Sequence, residues 1–203
     1  MKIYDISQEV FSCEVYPGDP LPKKEILSSI GKGAFYNLTA FSMCAHNGTH
    51  IDAPYHFFCD GKTVDEISLE KLVGFCYVAE FNGVLGNNDA LMILEKAEKL
   101  NIASAKKILL KGKCEVSIGA AEVFAKKKID LIGVESQTVG PENAPMAVHK
   151  VLLGGDVVLL EGIRLSDVNE GVYFLSASSL LLKGSDGAPV RAVLIDFDDR
   201  EEN

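Results

Sequence analysis

Apolar residues recur along this chain in short runs separated by turn-forming residues, and most of these runs predict β-strands. Short or alternating apolar runs bounded by glycine, proline or asparagine are typical of strands, whereas apolar residues three or four positions apart are typical of helices. The helical pattern predicts a helix that Asn88 or Asp89 caps and that ends near Leu100. It also predicts a helix at Ile118–Lys127, which Ser117 caps. A short helix is predicted at residues 64–72, and strands at residues 2–7, 38–43, 75–81, 107–111, 131–135, 157–161, 173–177 and 190–196.

The order of these elements predicts the fold class. Helices and strands alternate in the middle of the chain, while both ends are mostly strands. This order is typical of an α/β domain with a mixed β-sheet flanked by helices, and not of a doubly wound parallel sheet. The length of 203 residues suits a single domain at residues 1–203. Only residues 198–203 (DDREEN) are predicted to form a solvated tail.

Composition and charge exclude several classes of protein. Hydrophobic residues make up 47% of the chain, the net charge is −9, and the largest basic cluster is at residues 126–128. A nucleic-acid-binding surface is therefore not expected. The chain shows neither the apolar run of a signal peptide nor a run long enough to span a bilayer. We expect a soluble cytoplasmic protein with no nucleic-acid or membrane partner.

Cysteine usage supports the same location. The chain has five cysteines, an odd number, and no CxxC pair. This pattern argues against a disulfide framework and favours buried or half-buried thiols in a reducing compartment.

Histidine is rare in this chain and concentrated in one place. Of four histidines, His46, His50 and His56 fall within the stretch CAHNGTHIDAPYHFF, together with Asp52. An isolated histidine is usually a structural or surface residue, but three histidines and an aspartate at this spacing are the donor types of a metal site. The sequence therefore predicts a metal site here.

A straight strand cannot bring these side chains to one ion. His46 and His50 would lie about 13 Å apart in such a strand, whereas each metal–ligand bond is about 2 Å long. The chain must therefore turn between them, and Asn47-Gly48 is a strong turn signal. A helix is excluded because Gly48 lies between the two histidines and Pro54 follows them. We expect a turn, followed by a strand that includes His50 and ends at Pro54.

The fourth histidine lies far along the chain. His149 occurs in PMAVHKVLL, and Glu161 directly follows the apolar run at residues 157–160. Each is a weak signal alone, because a glutamate after an apolar strand is commonly its solvated end. A buried carboxylate, however, requires a partner, and a cation would provide one.

A longer motif connects these residues to a known family. Residues 46–56, HNGTHIDAPYH, match the pattern HxGTHxDxPxH. On this motif the chain resembles the cyclase-like metal-dependent hydrolases, which include bacterial kynurenine formamidases and isatin hydrolases. The resemblance extends to YDIS at residues 4–7, YPGD at residues 16–19 and DGAPVR at residues 186–191. It implies a swivelling β/α/β fold, a small-molecule substrate and a homodimer or larger homo-oligomer.

The resemblance also implies a set of metal ligands. His46, His50 and Asp52 would bind one metal ion. Asp52 would also contact a second ion, held with His149 and Glu161. One or two Zn²⁺ ions, or Mn²⁺, are expected, since histidine together with carboxylate suits both metals.

The reaction implied is the hydrolysis of a small carbonyl compound. His56 would be the catalytic general acid/base, passing a proton to the leaving nitrogen after attack by a metal-activated water; the alternative role for His56 is a further metal ligand. Tyr16 stands where the formamidases place a substrate-binding tryptophan. Lys111-Gly112-Lys113 replaces their Thr-Gly-Trp stretch. The expected substrate is therefore a formamide, cyclic amide or ester of a small aromatic or anionic molecule.

Two other functions are compatible with these residues. Two histidines and one carboxylate also form the facial triad of a non-haem iron oxygenase. A non-enzymatic protein with a structural or sensory metal site is the other alternative. The iron triad does not need His149 or Glu161, and structural zinc sites favour cysteine. A metal-dependent hydrolase is therefore the leading hypothesis.

Overall fold

The computed structural model describes residues 1–141 and 143–197, so the predicted tail at residues 198–203 lies outside the described residues. The strands, in chain order, are β1 (Lys2–Asp5), β2 (Lys23–Ser28), β3 (Leu38–Ser42), β4 (His50–Asp52), β5 (Val73–Glu80), β6 (Gly83–Leu85), β7 (Lys107–Lys111), β8 (Cys114–Val116), β9 (Leu131–Val134), β10 (Val158–Glu161), β11 (Gly171–Ser176), β12 (Gly187–Pro189) and β13 (Val193–Asp196). The α-helices are α1 (Leu69–Leu72), α2 (Asn87–Leu100), α3 (Ile118–Lys127) and α4 (Met146–Gly154).

Nine of the described strands form one mixed sheet, in the order β1-β13-β11-β5-β7-β9-β10-β4-β12. The four central strands, β5, β7, β9 and β10, are parallel to one another. All other strand pairs in this sheet are antiparallel. Parallel neighbours require crossover connections, and α2, α3 and α4 lie in those connections. The prediction of an α/β fold with a mixed sheet flanked by helices is confirmed. Two smaller sheets pair β2 with β3 and β6 with β8.

The large sheet curls back on itself. Strands β12 and β13 lie near opposite ends of the strand order, yet only residues 190–192 separate them in the chain. The four Cα–Cα steps from Pro189 to Val193 span at most about 14 Å, so the two ends of the sheet must approach each other. Val190 N–H donates to Thr49 O beside β4, and Ile6 N–H beside β1 donates to Ala192 O. These hydrogen bonds hold the two ends together.

Strand residues alternate between two cores. In β7, Ile108 and Leu110 pack on the helix side of the sheet, whereas Leu109 packs on the opposite side. In β4, Ile51 belongs to the core on the side opposite the helices. Because successive strand residues point to opposite faces, the residues on either side of Ile51 in β4 face the helix side.

Two of the helices lie at or near their predicted positions. Ser117 Oγ accepts a hydrogen bond from Ala120 N–H at 3.2 Å and caps α3, as predicted. Helix α2 begins earlier than predicted, because Gly86 is its N-cap, and neither Asn88 nor Asp89 is. Asp89 lies inside the first turn and accepts a hydrogen bond from Gly86 N–H at 2.9 Å.

Other predictions need correction. The helix predicted at residues 64–72 is divided into a 3-10 helix, Val64–Glu66, and α1, because Ile67 and Ser68 have extended backbone. The strand predicted at residues 190–196 begins only at Val193, after the connection from β12. Helix α4 and the strands β2, β6, β8 and β12 have no predicted counterpart. The remaining predicted strands agree with the structure within two residues at each end.

The cysteines are free thiols, and four of them are buried or half-buried as predicted. Cys59 is exposed, so the prediction was wrong there. No helix among the described residues combines the length and apolar character required to cross a membrane.

Candidate metal centre and active site

Strands β4 and β10 bring a histidine and two carboxylates together. The strands pair antiparallel, with Glu161 opposite His50 and Leu159 opposite Asp52. The three polar side chains lie on the helix side of the sheet and are almost fully buried. His50 Nε2 lies 3.4 Å from Asp52 Oδ1 and 3.4 Å from Glu161 Oε2. The structure thus joins the histidine-rich stretch to Glu161, more than a hundred positions away along the chain.

A tight turn returns His46 to the same place. Asn47 N–H donates to Cys44 O at 3.2 Å, and Asn47 Oδ1 accepts from Cys44 N–H at 2.8 Å. Gly48 has a φ of +65°, in the left-handed region that glycine adopts without steric cost. His46 Nδ1 consequently lies 2.8 Å from Asp52 Oδ1. The chain bends at residues 47–49, where the sequence predicts a turn, directly after a hydrogen-bonded turn at residues 44–47.

Helix α4 supplies the fourth histidine. Its apolar side chains Val148, Leu152 and Leu153 pack against the sheet, which turns His149 toward β10. His149 Nε2 lies 3.2 Å from Glu161 Oε1 and 3.5 Å from the second oxygen of Asp52. The helix therefore places His149 beside the carboxylates, as expected from the resemblance.

Backbone acceptors orient two of the imidazole rings. His50 Nδ1 lies 3.0 Å from Gly48 O, and His149 Nδ1 lies 2.9 Å from Pro145 O. Because a carbonyl oxygen only accepts, each Nδ1 carries a hydrogen, and Nε2 is the nitrogen that faces the carboxylates and can bind a metal ion once its proton is displaced. Metal-binding histidines are commonly held in this way, with the second ring nitrogen donating to a fixed acceptor.

The electrostatics of the site favour a bound cation. Burial raises the pKa of the Asp52 carboxyl, but hydrogen bonds with His46 and His50 hold that pKa well below its usual range. Burial lowers the pKa of both histidines, but hydrogen bonds to nearby carboxylates raise it to about 11 for His46 and about 9 for His50. Two buried carboxylates require neighbouring positive charge, which protons or a metal ion can supply.

The donor atoms fit metal binding. One ligand atom each from His46, His50 and Asp52 lie within 4.8 Å of one another, and so do those of Asp52, His149 and Glu161. Asp52 belongs to both groups and has an oxygen near each. Imidazole nitrogen together with carboxylate oxygen suits Zn²⁺ and Mn²⁺. The arrangement fits two neighbouring divalent ions, and the second group has no role in a mononuclear iron triad.

His56 lies at the open end of the site. The 3-10 helix Pro54–His56 redirects the chain after β4. The His56 side chain is 28% exposed, against 1% for His50, and its ring centroid lies 4.2 Å from that of His46. Its position between solvent and the buried donors is suited to contact with a substrate.

One residue at this open end was not predicted. Asp186 Oδ2 lies 2.9 Å from His46 Nε2 and 3.1 Å from His56 Nδ1. The only signal for it in the sequence is the stretch DGAPVR, which carries part of the family resemblance. Nothing in the local pattern indicates a contact with His46, which is 140 positions away.

Tyr16 lies in a loop near the histidine-bearing turn. Its carbonyl accepts a hydrogen bond from Asp19 N–H at 3.0 Å, and Asp19 Oδ2 lies 3.8 Å from Cys44 Sγ. Cys44 precedes His46 by two positions. A role for Tyr16 in substrate binding stays a prediction.

Curated relatives of this chain are named as formamidases. The chain is 31% identical over 212 residues to a kynurenine formamidase of Erythrobacter litoralis (strain HTCC2594), a match covering 98% of this chain and 95% of the relative. It is also 31% identical over 209 residues to a kynurenine formamidase of Bacillus anthracis, covering 95% of this chain and 97% of the relative.

Solved structures and a family model complete the comparison. A structure titled "The Structure Of Potential Metal-Dependent Hydrolase With Cyclase Activity" superposes with a TM-score of 0.78 at 30% identity, covering 95% of this chain and 96% of that chain. Isatin hydrolase A from Labrenzia aggregata shares the fold with a TM-score of 0.80 at 20% identity, covering 95% and 93%. The family model Cyclase, described as "Putative cyclase", matches residues 4–141. Since this match spans more than half of the chain and the relatives cover nearly all of it, the protein belongs to the Cyclase family.

Proposed function

We propose that this protein is a metal-dependent hydrolase that cleaves a carbon–nitrogen amide bond in a small molecule. The observation that carries the proposal is the convergence of all four histidines with two buried carboxylates at one end of the sheet. The kynurenine formamidases that resemble the chain over nearly its full length support the same reaction class.

We propose the same metal ligands that the family resemblance implies. His46, His50 and Asp52 would hold one ion, and Asp52 would share a second ion with His149 and Glu161. The inward-facing Nε2 atoms of His50 and His149 support this assignment. Zn²⁺ and Mn²⁺ both suit these donors, and elemental analysis of the purified protein distinguishes them.

The protein residues would position and protonate the reacting groups. A divalent ion at such a site supplies an activated water near neutral pH and polarises the carbonyl under attack. Val139 N–H donates to Glu161 Oε1 at 2.7 Å, which fixes that carboxylate among the other donors. His56, at the open end, would give a proton to the leaving nitrogen, a role for which histidine is suited near neutral pH.

The surroundings of the site support an aromatic amide as substrate. The Phe57 ring contacts His56 and His149, with centroid distances of 4.5 and 5.1 Å, and forms an apolar wall beside them. Lys111 does not provide positive charge there, because its Nζ lies 2.8 Å from Glu80 Oε1 at the end of the neighbouring strand. We therefore propose an aryl formamide or a cyclic aromatic amide as substrate, with Tyr16 as a further contact.

We also propose that residues 1–203 form a single domain that assembles as a homodimer or larger homo-oligomer in the cytoplasm. The five free thiols support a reducing compartment. The hairpin of β2 and β3 supports self-association, since Ile26 and Phe41 are 63% and 57% exposed there. A groove of about 690 Å³, lined in part by Phe11, Phe41 and Leu180, lies beside this hairpin.

The test combines a substrate panel with a variant of His56. The purified protein, loaded with Zn²⁺ or Mn²⁺, is assayed on an aryl formamide, a lactam and an activated ester, before and after removal of the metal. We expect amide hydrolysis to disappear with the metal and to return on its addition. His56→Ala should keep its metal while kcat on the amide falls by about 10² to 10⁴.

Two controls make this test specific. The loss in His56→Ala should be smaller on the activated ester, because its leaving group needs no proton. Tyr55→Phe, in the same 3-10 helix, should retain activity. Full activity of the metal-free protein would contradict the proposal, and loss of metal from His56→Ala would show that His56 is a ligand.

A further inference from the structure

Asp186 joins two histidines that the proposed reaction uses differently. One carboxylate oxygen, Oδ2, lies 2.9 Å from Nε2 of His46 and 3.1 Å from Nδ1 of His56. The two rings lie close together, with centroids 4.2 Å apart and planes inclined by 35°. A carboxylate can accept from both rings only if each of these nitrogens carries a hydrogen. The other nitrogen of His56, Nε2, is then left to present a lone pair. The other nitrogen of His46, Nδ1, lies 2.8 Å from Asp52 Oδ1, and it becomes a metal ligand when a metal ion displaces its proton.

The same arrangement holds the other two histidines. His50 and His149 each use one ring nitrogen on a fixed backbone carbonyl and present the other to the buried carboxylates. For His46, the nitrogen facing Asp52 is Nδ1, and the fixed acceptor on the other side is Asp186. Asp186 therefore does for His46 what a carbonyl oxygen does for the other two. It is also the acceptor shared with His56.

Contacts of the backbone hold Asp186 in this position. Its carbonyl accepts a hydrogen bond from Ala53 N–H at 2.9 Å, directly after β4. The next residue is Gly187, where an added Cβ would lie 2.6 Å from Cε1 and 3.0 Å from Nε2 of His46. A side chain at Gly187 would thus displace the His46 ring from Asp186. Carboxylate and ring are brought together by the backbone and by the space that this glycine leaves.

We propose that Asp186 is a positioning residue that fixes the tautomers of both His46 and His56, so that His46 offers Nδ1 to a metal ion and His56 offers Nε2 to the substrate. The part that concerns His56 rests on the proposed acid/base function. Asp186 thereby couples the first metal position to the proton-transfer group through one oxygen atom. Partners of metal-binding histidines typically contribute about 10- to 100-fold to metal affinity or activity.

The first test observes the tautomers without using activity. Long-range ¹H–¹⁵N NMR of the metal-loaded protein, labelled at its four histidines, assigns the His56 signals by comparison with His56→Ala. We expect the Nδ1–H form of His56 in the wild type, and its loss in Asp186→Asn. The asparagine side chain of this variant has the size of aspartate, but its uncharged amide oxygen is a much weaker acceptor for two ring N–H groups than a carboxylate oxygen.

The second test separates positioning from general structure. Asp186→Asn should lower kcat on an aryl formamide about 10- to 100-fold, with a smaller change in KM and with full metal content at saturating metal. In the His56→Ala background the same substitution should lower kcat by a much smaller factor. The reason is that Asp186 affects proton transfer through His56, which this background already lacks. Asp65→Asn is the matched control, because Asp65 Oδ1 accepts a hydrogen bond from Gly184 N–H, two positions before Asp186. In this variant kcat should change by less than about 2-fold.

Three results would overturn the proposal. They are an Nε2–H tautomer of His56 in the wild type, an equal loss of kcat from Asp186→Asn in both backgrounds, and a metal content in Asp186→Asn that stays low at saturating metal. The last result would make Asp186 a ligand. If the wild type hydrolyses none of the amides while the expected tautomer is observed, the proposed function fails and the positioning role stands.

Discussion

At the scale of single residues, the candidate site depends on a glycine that lets two chain segments touch. Gly162 directly follows Glu161 and has a φ of +68°. An added Cβ would lie 2.3 Å from the carbonyl oxygen of Gly48, within the turn that carries the histidines. The Gly162 carbonyl also accepts a hydrogen bond from Thr49 Oγ1 at 2.7 Å. Any side chain here would separate the histidine turn from the end of β10.

We therefore expect Gly162→Ala to lower the free energy of unfolding by about 3 kcal/mol or more, from left-handed strain and backbone overlap together. Gly33→Ala is the matched control, because Gly33 has a φ of +89° and open space around its Cβ position. Its cost should be only the conformational strain, about 1–2 kcal/mol. Urea unfolding measures the stability and titration with Zn²⁺ the metal affinity, which should fall only in Gly162→Ala. Equal effects of the two variants would refute the role of the close contact.

At the scale of elements, strand β4 links the core to the site. Its central residue, Ile51, is fully buried on the face opposite the helices, while His50 and Asp52 face the helix side. The strand has only three residues and pairs with both β10 and β12. Packing of Ile51 therefore contributes directly to the placement of two predicted ligands.

This arrangement predicts that a cavity behind β4 weakens metal binding without changing a ligand. Ile51→Ala should cost about 2–5 kcal/mol of unfolding free energy and lower the metal affinity, whereas Ile51→Val should cost about 0.5–1.5 kcal/mol. Ile3→Ala, on the edge strand β1 where Ile3 is 57% exposed, should leave both quantities nearly unchanged. Urea unfolding and metal titration of the three variants provide the test. Unchanged metal affinity in Ile51→Ala would show that β4 does not depend on this packing.

At the scale of the whole molecule, the β2–β3 hairpin is the exposed apolar surface that we connect with assembly. Leu27 is 53% exposed, and Phe35, between the two strands, is completely exposed. Large exposed apolar patches mark interaction surfaces in many soluble proteins. The proposed homo-oligomer would cover this hairpin.

We expect light scattering coupled to size exclusion to give the mass of a dimer or larger assembly. The double variant Leu27→Glu with Phe35→Glu should give a monomer, because two charges would be buried without partners at the interface. Ile102→Glu, at a residue that is 80% exposed after α2, should leave the assembly intact. A monomeric wild type, or an intact assembly of the double variant, would contradict the assignment.

Several features of this protein follow from the sequence by itself. Helix α3 and its cap at Ser117, strand β7, and the bend at Asn47-Gly48 are found where local patterns predict them. Each depends on residues only a few positions apart, through capping, side-chain periodicity or turn conformation. The concentration of histidines within one stretch is also a local feature of the sequence. For this reason a metal site could be predicted without knowledge of the fold.

Other features depend on tertiary structure alone. Helix α4 was not predicted, because its sequence is apolar on most sides and its burial becomes visible only against the sheet. Lys111 meets Glu80 only because β7 pairs with β5. The contact between Asp186 and His46 requires the pairing of β12 with β4, which brings together residues 140 positions apart. Such contacts result from the summed packing of many strands and helices, and no local stretch of the sequence contains the information that specifies them.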